Sequence, residues 1–181
     1  MPQPAARERE ILNTIYPKKL RLPSDIAHIK DLRMGEIVML SGTVYTARDQ
    51  AHKRLAAAIE NCEQLPFPLD GAAIYYCGPT PAAEGQIIGS CGPTTSARMD
   101  AYTPLLLDNG LKVMIGKGVR SDDVTQAIKE HGAVYLSAIG GAAALYQSTV
   151  RTCELIAYPD LGCEAVYKLT VEDFPAMVTI V

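Results

Sequence analysis

Three segments of the chain carry side chains suited to holding a small anion. The first runs Ser41-Gly42-Thr43-Val44-Tyr45-Thr46-Ala47-Arg48-Asp49-Gln50-Ala51-His52. The second is Gly92-Pro93-Thr94-Thr95-Ser96-Ala97-Arg98-Met99-Asp100, and the third is Gly116-Lys117-Gly118. Arg48, Arg98 and Lys117 supply positive charge, and an arginine grips a carboxylate through two parallel hydrogen bonds. Thr94 and Thr95 precede an expected helix, where free backbone N–H groups and the helix dipole favour negative charge. The glycines beside Lys117 let the backbone approach a ligand closely. Together these groups suit a small dicarboxylate better than a single carboxylate.

Each part also has a plainer reading. Arg48-Asp49 reads as a surface ion pair at a helix start, Thr94-Thr95 as a helix N-cap, and Lys117 as a solvated loop lysine. His52 stands four residues after Arg48 on the same helix face, and either anchors the loop by a hydrogen bond or touches a ligand. The anion reading draws its strength from all three segments occurring together.

The segments are positioned by the elements before them. Apolar runs at 37–40, 72–76 and 111–115 read as buried strands, and 86–90 as a further candidate strand. Later strands are expected at 133–138, 150–157, 165–169 and 177–180. Helical spacing is expected over 49–60, over 96–107, from a Ser121-Asp122-Asp123 cap to residue 130, and over the small-residue stretch 140–146. The alternation points to an α/β domain with a mostly parallel central sheet. In such sheets ligands gather at the carboxyl ends of the strands, where all three segments fall. Residues 1–16, with Ile11, Leu12 and Ile15 as an apolar stripe, are expected to form a short helical extension before a single domain over 17–181.

Composition narrows the class. The chain has 181 residues, 48% of them hydrophobic and 20% charged, which suits one globular domain with a sizeable core. A net charge of −3 gives no nucleic-acid footprint, and no apolar run reaches the length of a membrane span. Arg7, Glu8, Arg9 and Glu10 stand where a secretion signal needs apolar residues, so a cytoplasmic location is expected. Cys62, Cys77, Cys91, Cys153 and Cys163 are odd in number and contain no C-x-x-C, which suits a reducing compartment and gives no metal site on this chain. Cys77 and Cys91 lie beside Gly-Pro turns and read as buried small residues, with a reactive thiol as the weaker alternative. The stretch 138–144 lacks the G-x-G-x-x-G pattern of a dinucleotide site, and its small residues suit close helix–sheet packing. Glu164 reads as buried and paired.

The ordered motifs resemble a known family. They are Leu40-Ser41-Gly42-Thr43, Thr46-Ala47-Arg48-Asp49, Tyr75-Tyr76-Cys77-Gly78-Pro79, Gly92-Pro93-Thr94-Thr95-Ser96 with Arg98-Met99-Asp100, Gly116-Lys117-Gly118, Ile139-Gly140-Gly141 and Glu164-Ala165-Val166. At these positions the chain resembles the β subunit, or C-terminal domain, of the Fe–S-dependent (class I) fumarate and tartrate hydro-lyases. The resemblance implies a swivelling β/β/α domain. It also implies an α subunit partner, in a heterodimer or α2β2 assembly, that holds a [4Fe–4S] cluster while this chain supplies no ligand to it. By the same resemblance Arg48, Thr94, Arg98 and Lys117 surround a dicarboxylate, with His52 and Thr95 in support. Thr94 is then the candidate base and needs a carboxylate to activate it, expected from the α subunit, with Asp49 as the local alternative. Reversible hydration of fumarate to (S)-malate, a tricarboxylic acid cycle reaction, is the expected activity. L-tartrate dehydration, or a non-catalytic module binding an anion or a partner, are the alternatives.

Overall fold

The computed structural model describes residues 17–181, so the helical extension expected over 1–16 lies outside the described residues. Seven strands form one sheet: β1 (Lys18–Leu22), β2 (Ile37–Thr46), β3 (Ala73–Tyr75), β4 (Val113–Gly116), β5 (Val134–Ser137), β6 (Val150–Ala157) and β7 (Val166–Ile180). β1 to β5 run parallel to one another in sequence order. The long β7 runs antiparallel to β5, β6 and β2. Because β7 joins β5 back to β2, the sheet closes on itself through β2, β3, β4, β5 and β7. The parallel strands are therefore those of the expected α/β sheet, but the sheet is barrel-like rather than open.

Alternation along the strands builds two cores. Ala73 and Tyr75, Val113 and Ile115, and Val134 and Leu136 join Val38, Leu40, Phe174 and Val178 in one apolar cluster. Ile74, Met114 and Tyr135 point the opposite way and pack in a second cluster with Leu55, Leu106, Leu107, Val124 and Ile128. Those last residues belong to three helices: α1 (Asp49–Glu60), α2 (Thr103–Asp108) and α3 (Asp122–Glu130). A period of two with both faces apolar is what strands covered on both sides require. A fourth helix, α4 (Ala143–Thr149), buries Tyr146 against Tyr75 and Phe174.

Several expectations shift for identifiable reasons. Residues 86–90 form a loop and not a strand, because Ser90 O accepts from Thr80 N at 3.0 Å and Ile88 O accepts from the Gln147 amide at 2.8 Å, so the segment's carbonyls have partners outside any ladder. The helix expected over 96–107 is split into a 3-10 turn, Ser96–Met99, and α2. Pro104 can only enter at a first turn, since inside a continuous helix it has no N–H to give and clashes with the preceding turn. The two strands expected at 165–169 and 177–180 are one strand, β7, bulged between its pairings of Val171 with Gly42 and Phe174 with Leu40. Asp173 has φ +50° there, and its N–H donates to Ser41 Oγ at 3.1 Å. Helix α4 starts at Ala143, later than expected, after the Gly140-Gly141 turn. Strand β1 was not foreseen, its alternation of lysine and arginine with leucine being short. No helix among the described residues is long and apolar enough to cross a membrane.

Two buried residues fix the parts that carry the candidate site. Arg120, with its side chain fully buried, donates to Asp100 Oδ1 (2.6 Å), Thr103 Oγ1 (2.6 Å) and Tyr76 Oη (3.2 Å). Its guanidinium lies over the Tyr76 and Tyr135 rings, so the loop after β4 is tied to the 3-10 turn after Ser96. His52 is wholly buried in α1, with Nδ1 3.0 Å from Arg48 O. A carbonyl only accepts, so Nδ1 carries the proton in that contact. Its ring packs edge-on against Tyr76.

Two stability predictions follow from this packing. Gly42 has φ +111°, and an added Cβ would stand 1.9 Å from Leu22 O. Replacing Gly42 by Ala is expected to lower unfolding free energy by about 2–4 kcal/mol in urea denaturation, and a change within about 0.5 kcal/mol would show that the β1–β2 contact is looser than described. Burial lowers the His52 pKa to about 4, the bond to Arg48 opposing that shift only in part. The unfolded chain takes up a proton near pH 6.5 that the folded chain refuses, so stability is complete above pH 6.5 and declines as pH falls toward 4. Relative to His52→Gln, the native chain should lose on the order of 2 kcal/mol between pH 7 and pH 4.5. Parallel pH profiles would contradict a neutral, buried His52.

Candidate functional site

Strands β2, β3 and β4 end at one edge of the sheet; the first and third segments continue from β2 and β4, while the second, expected after a strand at 86–90, is delivered to the same edge by the loop after β3. The middle segment is threaded between two of those ends. Thr94 N donates to Tyr76 O at 2.6 Å, beyond β3, and Thr94 O accepts from Lys117 N at 3.3 Å, beyond β4. Thr95 pairs with Lys117 as an isolated parallel bridge, and Ser96 N donates to Lys117 O at 2.9 Å. The chain at 93–96 thus acts as a short extra strand that brings Thr94 and Thr95 beside Lys117. Gly116 permits the crossing, since a Cβ there would meet Ser96 Oγ at 2.0 Å.

This geometry corrects one part of the anion argument. The N–H groups of Thr94 and Ser96 are engaged with Tyr76 and Lys117, and the following helical turn is only four residues of 3-10 helix. Neither a row of free N–H groups nor a sizeable helix dipole is available at that point. Thr95 stands at the N-cap position but makes no side-chain capping bond, so the plain N-cap reading gains nothing either.

The first segment meets the second through side chains. Asp49 opens α1, and its Oδ1 accepts from Arg98 Nε at 2.7 Å while Oδ2 lies 3.7 Å from Arg48 Nη2. One carboxylate therefore stands between the two arginines. Arg48 is the N-cap residue of α1 and provides no side-chain cap. Glu164, far along the chain, serves instead: its Oε2 accepts from Gln50 N at 3.0 Å and its Oε1 lies 3.4 Å from Arg48 Nη2. Gly78 also packs closely on Arg48, where a Cβ would stand 2.9 Å from Arg48 Cδ. Lys117 reaches toward Gly140, whose position would bring a Cβ within 3.6 Å of Lys117 Cδ.

Arg48 and Arg98 are thus joined through Asp49, and Thr94, Thr95 and Lys117 through backbone pairing. Arg98 is linked to the second group by the turn it shares with Thr95. His52 stands behind this surface, bonded to the Arg48 carbonyl and with Nε2 facing the protein interior without a hydrogen-bond partner. Two further atoms are buried without partners among the described residues, Arg48 Nε and Asp49 Oδ2. Such atoms are costly to leave unpaired, and both point to hydrogen bonds not made within the described residues. The 440 Å³ cleft lined by Pro79, Ile88, Cys153, Cys163 and Tyr167 contains none of Arg48, Thr94, Arg98 or Lys117.

Glu164, expected to be buried and paired, is paired but only partly buried, with 19% of its side chain exposed, and its bond to the start of α1 spans 114 residues of chain. Asp100 and Arg120 were not singled out as a pair. A lone arginine before a helix cap carries no signal that it will be buried. Cys77 and Cys91 are buried, as is expected of small core residues, whereas Cys62 and Cys163 are exposed. Among the described residues no three histidine, cysteine or acidic side chains stand close enough to hold a metal ion.

Comparison with known proteins gives this edge its context. The family described as Fumarase C-terminus matches residues 3–181. The chain is 42% identical over 157 residues to the aerobic class I fumarate hydratase of Escherichia coli K12, covering 86% of this chain and 29% of that protein. It is 44% identical over 149 residues to fumarate hydratase 2 of Leishmania major, covering 81% of this chain and 26% of that protein. It is 36% identical over 155 residues to a putative L(+)-tartrate dehydratase subunit beta of Methanocaldococcus jannaschii, covering 83% of this chain and 80% of that one. The chain thus spans under a third of these two fumarate hydratases and most of the tartrate dehydratase subunit. With motifs, strand-end geometry and a match across nearly its whole length in agreement, the chain belongs to the Fumarase C-terminus family.

Proposed function

We propose that this chain is the β-type part of a class I fumarate hydratase, and that it supplies dicarboxylate-binding groups to an active site completed by a cluster-bearing α subunit. The observation that carries the reading is Asp49 holding Arg98 at 2.7 Å and standing 3.7 Å from Arg48, on the edge where Thr94 and Lys117 are paired. A fumarate or (S)-malate molecule over that edge would meet positive charge at both ends. Arg48 keeps a fifth of its side chain exposed, so its guanidinium is reachable by such a ligand. The likeness to named fumarate hydratases supports the substrate, and the match to a chain named as a subunit beta supports the division of labour. The same reading makes the barrel a swivelling β/β/α domain that rests against the partner.

In the assembled enzyme a [4Fe–4S] cluster on the partner would supply Lewis-acid assistance at the hydroxyl that leaves malate. The groups of this chain act on the rest of the molecule. Arg48, Arg98 and Lys117 bind and orient the carboxylates, which fixes the carbon that loses its proton. Thr94 is the candidate proton acceptor, with Thr95 beside it. A hydroxyl needs a neighbouring carboxylate to act as a base, and no described residue makes a hydrogen bond to the Thr94 side chain. Asp49 is engaged with two arginines and is better suited to orienting them, so the activating carboxylate comes from the partner in this scheme.

Tartrate is the second reading, favoured by the relative matched over 80% of its length. Assay of the anaerobically assembled complex on both substrates separates the two: a higher kcat/KM on fumarate is expected, and the reverse preference would assign the tartrate reaction. Absence of either activity in a fully loaded complex would leave an anion- or partner-binding module. Arg98→Ala is expected to reduce kcat/KM by roughly 30-fold to 5,000-fold, equivalent to about 2–5 kcal/mol for a charge-paired contact covered in the complex. An unchanged kcat/KM would remove Arg98 from the site.

A further inference from the structure

Arg48 is held by fewer bonds than its place at the site requires. Asp49 Oδ1 is engaged with Arg98 at 2.7 Å, and Asp49 Oδ2 stands 3.7 Å from Arg48 Nη2. The nearer counter-charge is Glu164 Oε1, at 3.4 Å from the same nitrogen. Gly78 packs against both the Arg48 side chain and the Glu164 segment, since a Cβ on it would meet Arg48 Cδ at 2.9 Å and Cys163 O at 2.8 Å. The Arg48 head is therefore confined by the Gly78 backbone together with the segment that carries Glu164.

That segment is itself strapped to the start of α1. It is the 3-10 turn Pro159–Glu164 that links β6 to β7. At its near end Arg54 of α1 pairs with Asp160, with Nη1 to Oδ1 at 2.9 Å, and lies over the Tyr158 ring at 5.1 Å. At its far end the buried Thr46 hydroxyl donates to Ala165 O at 3.4 Å and accepts from Tyr167 N at 3.0 Å. Thr46 is the last residue of β2, two before Arg48. Between these anchors Glu164 has its two oxygens divided: one accepts from Gln50 N, the other faces Arg48.

We propose that Glu164 is a positioning residue for the dicarboxylate site, its charge aiming the Arg48 guanidinium at the ligand while its second oxygen caps α1. This rests on the proposed function only for the identity of the ligand, since the aim of Arg48 is a property of the chain itself. A residue that merely caps the helix would do so equally well as an amide, because a glutamine carbonyl accepts the Gln50 N–H as a carboxylate does. Only the carboxylate also attracts Arg48. Glu164→Gln thus separates the two roles, and Glu164→Asp tests whether charge returned on a shorter arm restores part of the effect.

Two measurements decide it. In the anaerobically assembled complex, Glu164→Gln is expected to raise KM for fumarate about tenfold with kcat changed by less than about threefold, since a misaimed arginine weakens ground-state and transition-state binding alike. Glu164→Asp should recover part of that loss. Asp160→Asn, which loosens the outer end of the strap without touching Arg48, should leave KM unchanged. In the full chain without its partner, the Nε–H proton of Arg48 followed by NMR should exchange faster with water in Glu164→Gln than in the native chain. An active complex in which Glu164→Gln leaves KM unchanged overturns the inference, as does an equal rise in KM for Asp160→Asn. If the native complex shows no activity on fumarate or tartrate, the functional reading fails while the exchange measurement still decides the positioning of Arg48: faster exchange upholds it and unchanged exchange overturns it.

Discussion

Two guanidinium groups repel one another, and this protein brings Arg48 and Arg98 to the same edge by placing a carboxylate between them. At an effective dielectric constant of about 20, like unit charges roughly 4 Å apart repel by about 4 kcal/mol, and solvent screening makes the repulsion smaller for the half-exposed Arg98. Asp49 opposes it from the first turn of α1, where a carboxylate is also favoured by the helix dipole. Glu164 adds a second negative charge beside Arg48. The site therefore carries three cations against two carboxylates: Arg48, Arg98 and Lys117 against Asp49 and Glu164. The surplus is modest, so the pull on a dicarboxylate comes from aimed donors rather than from bulk positive charge.

Aiming depends on the barrel. β7 closes the sheet between β5 and β2, so the parallel strands cannot splay and their carboxyl ends keep fixed spacing. The threaded segment at 93–96 then sets the distance between the β3 and β4 ends to that of a hydrogen-bonded strand. Behind it, Arg120 ties the loop after β4 to Asp100, and His52 holds the Arg48 carbonyl from inside α1. These buried polar residues make no use of solvent, and each has a rigid aromatic neighbour in Tyr76. Function at the surface is in this sense organised by one ring in the second core.

What could be read in the sequence was whatever repeats locally. The start of α1 at Asp49, the Ser121 cap of α3 and the full extent of β6 follow from spacing and capping chemistry, and the structure places them there. The three site segments stood out because each joins a cation, Arg48, Arg98 or Lys117, with glycine after an apolar run. What could not be read depends on contacts distant in sequence. Glu164 reaches Gln50 across 114 residues, and β7 continues through a bulge that only its partner strand makes tolerable. The expectation of free N–H groups at Thr94 failed for the same reason, since Tyr76 and Lys117, which claim this backbone, lie just beyond the ends of β3 and β4, distant in sequence. Arg120 looked like any loop arginine until three aromatic and acidic neighbours closed over it.

The most direct test is the structure of the assembled enzyme with a small dicarboxylate bound. The account predicts one ligand molecule whose carboxylate oxygens lie within about 3.2 Å of guanidinium nitrogens of Arg48 or Arg98 at one end and of Lys117 at the other, with the Thr94 hydroxyl beside its central carbons. A dicarboxylate seated elsewhere, with these four side chains turned to solvent, would contradict it.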